Sequence, residues 1–96
     1  MEQSEKDLYS FDITFGEAME AVRKQERQKR KEQHYSQKEL ARRSGVSLGS
    51  LQRFEQTGEI SLRSLLYLAM ILDCLGDFTH LFEKSTLLTK EEFLHS

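Results

Sequence analysis

The sequence has no proline, no tryptophan and one cysteine, Cys74. A single thiol excludes a disulfide within the chain, and the lack of proline removes the strongest helix breaker. The apolar run at residues 65–72 is interrupted by Tyr67 and is far shorter than the roughly 20 residues that span a bilayer. Because the amino terminus is polar and acidic, unlike a signal peptide, we expect a cytoplasmic protein without a membrane segment.

Residues that carry enzyme chemistry are also scarce. The three histidines, His34, His80 and His95, do not have the spacing of a metal site. Cys74 lies in an apolar segment, where a small buried thiol is the usual interpretation. Since neither a nucleophile with an adjacent base nor a phosphate-binding glycine loop is present, we expect no enzyme, no cofactor and no metal.

Charge is distributed unevenly along the chain, although the formal net charge is only −2. Residues 1–20 carry one Lys against six Asp and Glu, whereas residues 21–60 carry ten Lys and Arg against five acids. A local basic patch attracts phosphates, so the middle of the chain is the candidate for binding nucleic acid. The run ERQKRKEQ, residues 26–33, mixes both signs and is more typical of a solvated helix face, which we expect to stay exposed or frayed up to Tyr35.

The middle segment contains two helix signals separated by a short turn. Ser36 with Glu39 forms an S-x-x-E capping box, which predicts that a helix begins at residue 37. Gly45 predicts its end, since a residue without a Cβ adopts the left-handed conformation that closes a helix. Ser47 then caps a second helix, and a turn this short makes the two helices cross steeply.

The second helix has two opposed faces. Projected at 100° per residue, Leu51 and Phe54 lie on one face, and Gly49, Gln52 and Arg53 lie on the other. The first face is predicted to pack on a small core, while the second presents polar groups around a glycine that leaves room for close approach. This shape suits a helix that enters the major groove of DNA.

These residues resemble the phage repressor and Cro type of helix-turn-helix, also called the XRE family. The resemblance is carried by Ala41, Gly45, Val46, Leu51 and Phe54, and it extends more loosely over residues 16–82. It implies an all-α, five-helix domain that binds double-stranded DNA at a palindromic operator. Because one recognition helix reads only a few base pairs, such domains act as symmetric pairs, so a homodimer is expected.

Side-chain chemistry assigns roles within the motif. Arg53 is suited to guanine and Gln52 to adenine, whereas Leu48, which departs from the polar residue common in the phage proteins, is placed against a thymine methyl. Alternatives are a surface salt bridge of Arg53 with Glu55 or Glu59, and a role in solubility alone for Arg42 and Arg43. The predicted DNA contacts are Gln37, Lys38 and Arg42 for phosphates, Ser50 for a base or phosphate, and Ser47, Leu48, Gly49, Gln52 and Arg53.

The remaining elements are predicted from caps and periodicity. Residues 8–15 alternate in polarity, which indicates either a strand paired with a second subunit or an extended arm packed on the helices. Helices are expected to begin after Thr14, after Ser61 and near residue 77, with a short terminal helix after Thr89. We therefore divide the chain into an arm at 1–15, a DNA-binding domain at 16–83 and a tail at 84–96.

Two functions remain open from the sequence. The first is a dimeric repressor, and residues 58–82 are similar to operon-encoded regulators such as the antitoxins of HipB type, which repress their own operon and bind a partner toxin. The second is a protein-interaction module that neutralises a partner, with DNA binding secondary. In that case the acidic arm and the apolar residues Leu87, Leu88, Phe93 and Leu94 would form its surfaces.

Overall fold

The computed structural model describes residues 13–83, which form four α-helices and one 3-10 helix. The helices are α1 (Phe15–Glu32), α2 (Gln37–Ser44), α3 (Leu48–Thr57) and α4 (Leu62–Ile71), followed by the 3-10 helix Leu75–His80. The predicted all-α, five-helix fold is confirmed. Residues 1–12 of the predicted arm or strand, and the predicted helix after Thr89, lie outside the described residues.

Side-chain caps begin all four α-helices where the sequence predicts them. Thr14 and Glu17 form the complete capping box of α1, and each of the three later caps, Ser36, Ser47 and Ser61, accepts a hydrogen bond from a backbone N–H three residues on. The box predicted at Ser36 is only half present, because Glu39 binds two arginines instead of reaching back to the cap.

Two glycines end α2 and α3 in the left-handed conformation. Gly45 has φ of 80° and Gly58 has φ of 84°. Gly58 is also crowded, because a Cβ at this position would lie 3.1 Å from the Cβ of Met19 in α1. Glycine at residue 58 therefore permits both the turn and the close approach of α1 to the end of α3.

The core lies where α2, α3 and α4 meet, with α1 packed on α3. Its fully buried side chains are Leu40, Leu51, Phe54 and Leu68. Complete burial of a side chain of this size stabilises the fold by about 1.5–3 kcal/mol. The apolar face predicted for α3 is thus the face that fixes it to the domain.

α1 differs from the prediction in its second half. The run at residues 26–33 was expected to be exposed or frayed, but α1 continues to Glu32, and Glu26 and Arg30 are buried. They are buried because α3 packs on this side of α1, and Glu55 supplies an ionic partner for Arg30. Arg27, Gln28, Lys31 and Glu32 are exposed as expected, whereas Lys29 and Gln33 are half-buried.

The last helix covers only part of α4. The helix expected at residues 77–82 is a 3-10 helix that starts earlier, at Leu75. Leu68 and Ala69 of α4 face the core, whereas Leu62 and Met70 remain 61% and 49% exposed. α4 therefore retains an apolar surface that the described part of the chain does not cover. Within residues 13–83, none of the helices has the length and apolar character needed to cross a membrane.

Candidate nucleic-acid interface

The turn between α2 and α3 is held by its own polar groups. The buried hydroxyl of Ser44 accepts a hydrogen bond from the backbone N–H of Val46 and donates one to the carbonyl of Ala41. Gly45 donates its backbone N–H to Ala41, and Val46 inserts its side chain into the core. These bonds and the burial of Val46 hold the three-residue connection in one conformation, which sets the direction of α3 relative to α2.

The outer face of α3 consists of exposed polar side chains around an open glycine. Nothing lies within 4 Å of the position that a Cβ at Gly49 would occupy. The exposed residues of this helix include Gly49, Ser50, Gln52, Arg53 and Gln56. The opposition of faces predicted from the helical projection is therefore present, and the outer face is free to approach another molecule.

Glu55, on the inner side of α3, ties this helix to the two helices before it. Its carboxylate accepts two hydrogen bonds of 2.8 Å from the guanidinium of Arg30 in α1 and one of 2.9 Å from the amide of Gln37 in α2. Its backbone carbonyl accepts a further bond from Arg23. Arg30 also donates to the carbonyl of Tyr35. One carboxylate thus sets the position of the recognition helix.

A second buried carboxyl, Glu26, lies beside this cluster. Neither oxygen of Glu26 has a hydrogen-bond partner among residues 13–83. The carboxylate of Glu55 is a close neighbour and favours the protonated form of Glu26. Burial, followed by the neighbouring Glu55, raises the pKa of Glu26 to about 9. Burial alone would raise the pKa of Glu55 too, but the hydrogen bonds from Arg30, followed by the neighbouring proton of Glu26 and the hydrogen bond from Gln37, outweigh it and lower that pKa. Glu26 is therefore neutral at pH 7 and Glu55 is charged.

The exposed side of α2 carries a second ionic group. Glu39 binds Arg42 and Arg43, each at 2.6 Å. Hydrogen bonds from Arg42 and then Arg43 lower the pKa of Glu39 to about 2. The guanidinium of Arg43 lies over the ring of Tyr35, and the distance from its central carbon to the centre of the ring is 5.1 Å. Arg42, a predicted phosphate contact, is exposed but already has an acidic partner.

Arg53, the predicted base-reading residue, projects from α3 and forms an ion pair with Glu59. This is one of the two salt bridges considered as an alternative from the sequence. Both side chains are largely exposed, so Arg53 remains accessible, and the predicted contact with a base would require it to leave Glu59. An exposed ion pair of this kind contributes at most about 1 kcal/mol, which leaves the exchange feasible.

The other predicted contacts divide into two groups. Lys38 is exposed on the first turn of α2, and Ser47 and Ser50 are joined by a hydroxyl hydrogen bond of 2.9 Å at the start of α3. Gln37 and Leu48 are less available than predicted: Gln37 donates its amide to Glu55, and Leu48 is half-buried against the core. Their proposed DNA contacts remain predictions.

The cluster that orients α3, namely Glu26, Arg30 and Glu55, was not predicted from the sequence. A signal for it was present. The apolar stripe of α1 continues from Val22 at four-residue steps into Glu26 and Arg30, and the projection of α3 places Glu55 beside Leu51 on the inner face. Charged residues at inward positions indicate a buried ion pair, but their charge led to the prediction of a solvated surface.

A comparison with known families agrees with this geometry. The helix-turn-helix family HTH_3, of the XRE, Cro and C1 type, matches residues 27–75, and the chain belongs to this family. The resemblance inferred from residues 37–56 is confirmed, and the protein has the domain of a DNA-binding regulator. Searches of curated proteins and of solved structures each found no match.

Proposed function

We propose that this protein is a dimeric transcriptional repressor that binds a palindromic operator in the cytoplasm. The observation that supports it best is the outer face of α3, which is polar, open at Gly49 and exposed, while the opposite face is fixed by the core and by Glu55. A rigid helix presented in this way fits the major groove, where Arg53 and Gln52 would contact base edges.

The proposed dimer is supported by exposed apolar side chains. Phe15 is 81% exposed, Leu62 61% and Leu81 55%. Apolar surface of this kind is typical of protein interfaces, and a domain of this size gains stability by association. Two recognition helices about 34 Å apart would then contact successive major grooves on one side of the DNA.

An antitoxin that represses its own operon is the finer form of this proposal. It rests on the similarity of residues 58–82 to regulators of HipB type and on the same exposed apolar side chains, which are available to a partner toxin as well as to a second copy. The second candidate function, a module that mainly neutralises a protein partner, relies on that surface together with the acidic arm and the apolar tail residues predicted from the sequence. If the protein is such a module, its affinity for DNA should not depend on the DNA sequence.

A selection from random double-stranded DNA at several salt concentrations tests the proposal. We expect enrichment of an inverted repeat with half-site centres about 10 base pairs apart, and sedimentation of the protein as a dimer on that site. The matched variant Arg53→Ala should enrich the same repeat less strongly and lose the preference at one base pair. Recovery of no preferred sequence by the wild-type protein would contradict the repressor and favour the interaction module.

A further inference from the structure

Most cations of the described region have an acidic partner, and three of the four exceptions lie on α1 and the first turn of α2. Within residues 13–83, the Lys and Arg side chains within 4.0 Å of a carboxylate are Arg23, Lys24, Lys29, Arg30, Arg42, Arg43 and Arg53. Arg27, Lys31, Lys38 and Arg63 have no such partner in that part of the chain, and Arg63 lies over the ring of Tyr67. The first three lie on the second half of α1 and the first turn of α2.

Arg27 and Lys31 share one exposed face of α1, since they are four residues apart. Arg27 also lines a shallow groove with Ser36, Gln37, Gln56 and the ion pair of Arg30 with Glu55, which places it beside the start of α2 and the end of α3. Arg27 therefore adjoins the helix-turn-helix at the start of α2, and Lys31 lies one turn further along the same face of α1.

We infer that Arg27 and Lys31 bind the DNA backbone, as a phosphate contact on α1 outside the helix-turn-helix. The inference rests on the proposed DNA binding. Side chains without an acidic partner bind a phosphate without first breaking an ion pair, in contrast to Arg42 and Arg53, which must leave Glu39 and Glu59. The partner that fits a row of unpaired cations beside a recognition helix is the phosphodiester strand flanking the groove that α3 enters.

Lys29 provides a matched control. It lies on α1 between Arg27 and Lys31, yet two positions from each, so its side chain is on the opposite side of the helix. It pairs with Glu32 at 3.8 Å and lines a cavity with Val22 and Leu65, away from α2 and α3. Lys29→Ala removes one positive charge from the same helix without touching the proposed surface.

The experiment measures binding of the full chain to a fluorescent duplex of about 20 random base pairs over a range of salt concentrations. We expect the double variant Arg27→Ala/Lys31→Ala to lower affinity severalfold and to reduce the slope of log affinity against log salt by about one to two, since each phosphate contact contributes about 0.9. The exchange variant Arg27→Lys/Lys31→Arg should keep the slope, and Lys29→Ala should match the wild-type protein. Thermal unfolding checks that each variant is folded.

Three results would overturn the inference, and they are distinguishable. If the double variant keeps the wild-type slope while Lys38→Ala lowers it, DNA binding stands and the α1 contact is wrong. If the wild-type protein binds neither the random duplex nor a selected site, the proposed function fails together with it. An equal loss for Lys29→Ala would show a general effect of net charge and would also count against a contact at Arg27 and Lys31.

Discussion

Arg30 and Glu55 form a two-pronged ion pair between α1 and α3, with both nitrogen–oxygen distances at 2.8 Å. Both side chains are buried, and the pair joins α1 to α3, the helix whose outer face is exposed and polar. The position of the recognition helix therefore depends on two charged residues that do not lie on its outer face.

Removing one member of this pair should be strongly destabilising. Arg30→Met leaves Glu55 charged and buried, and we expect a loss of about 3–5 kcal/mol in the free energy of unfolding. Arg30→Met/Glu55→Leu should recover a large part of that loss, because neither charge remains. Urea unfolding of both variants measures the difference; a loss below about 1 kcal/mol for Arg30→Met would show that the pair is not needed to hold α3.

Glu26 should make stability fall as pH rises. Its pKa is about 9 in the folded protein and 4.5 ordinarily, so it is protonated in both states below pH 4.5 and contributes no penalty there. Between pH 4.5 and about 9, folding requires Glu26 to take up a proton. The free energy of unfolding therefore decreases as the pH rises through this range, until Glu26 of the folded protein also loses its proton.

Glu26→Gln isolates this effect, because glutamine keeps the shape and needs no proton. We expect it to stabilise the protein by about 1–3 kcal/mol at pH 8 and to have little effect at pH 4.5. The measurement is the unfolding temperature at several pH values, with Glu32→Gln, an exposed change on the same helix, as the control. A constant difference between Glu26→Gln and wild type at every pH would refute the assignment.

Arg53→Ala should change specificity as well as affinity. Loss of a two-pronged contact to guanine weakens binding to the operator by about 1–3 kcal/mol and relaxes discrimination at one base pair. Lys38→Ala, which removes a phosphate contact, should weaken all sequences alike. Competition between operator and scrambled duplexes separates the two, and equal losses on both duplexes for Arg53→Ala would exclude base readout.

Glu59 should compete with DNA for Arg53. Glu59→Gln removes the charge that holds the guanidinium in the free protein, so binding to any duplex should become tighter, by up to about fivefold for an exposed ion pair. The gain should disappear when Arg53→Ala is already present, which is the double-mutant control. If affinity rises equally in the Arg53→Ala background, Glu59 acts only by repelling phosphates.

Gly49→Ala separates folding from DNA binding. A Cβ at this position meets nothing in the protein, and alanine favours a helix by roughly 0.5–1 kcal/mol, so the unfolding temperature should stay constant or rise. The added methyl group projects from the outer face of α3 and should weaken operator binding. Unchanged affinity would mean that α3 does not approach DNA closely at residue 49.

The sequence was sufficient for those parts of the fold that depend on local rules. Serine and threonine caps, the glycines at 45 and 58 and the period of the apolar residues predict where α2 and α3 begin and end, since each acts within a few residues of the chain. They also separate the exposed face of α3 from the buried one.

Pairings between distant residues were beyond this reasoning. Arg30 and Glu55 are 25 positions apart, and nothing local shows that their charges neutralise each other. The same holds for Gln37, whose position at the start of α2 suggests a phosphate contact, whereas its amide is bonded to Glu55. Burial of a charge becomes predictable only when the packing of α1 on α3 is known.

The negative charge of Glu39 affects how strongly binding to a nucleic acid depends on the salt concentration. Because its pKa is about 2, it stays negative throughout the physiological range, and acidification cannot detach Arg42 and Arg43. The three side chains together present one net positive charge rather than two. Counterion release on association with a nucleic acid should accordingly be smaller than a tally of basic residues suggests, which would leave binding less sensitive to fluctuations in cellular salt.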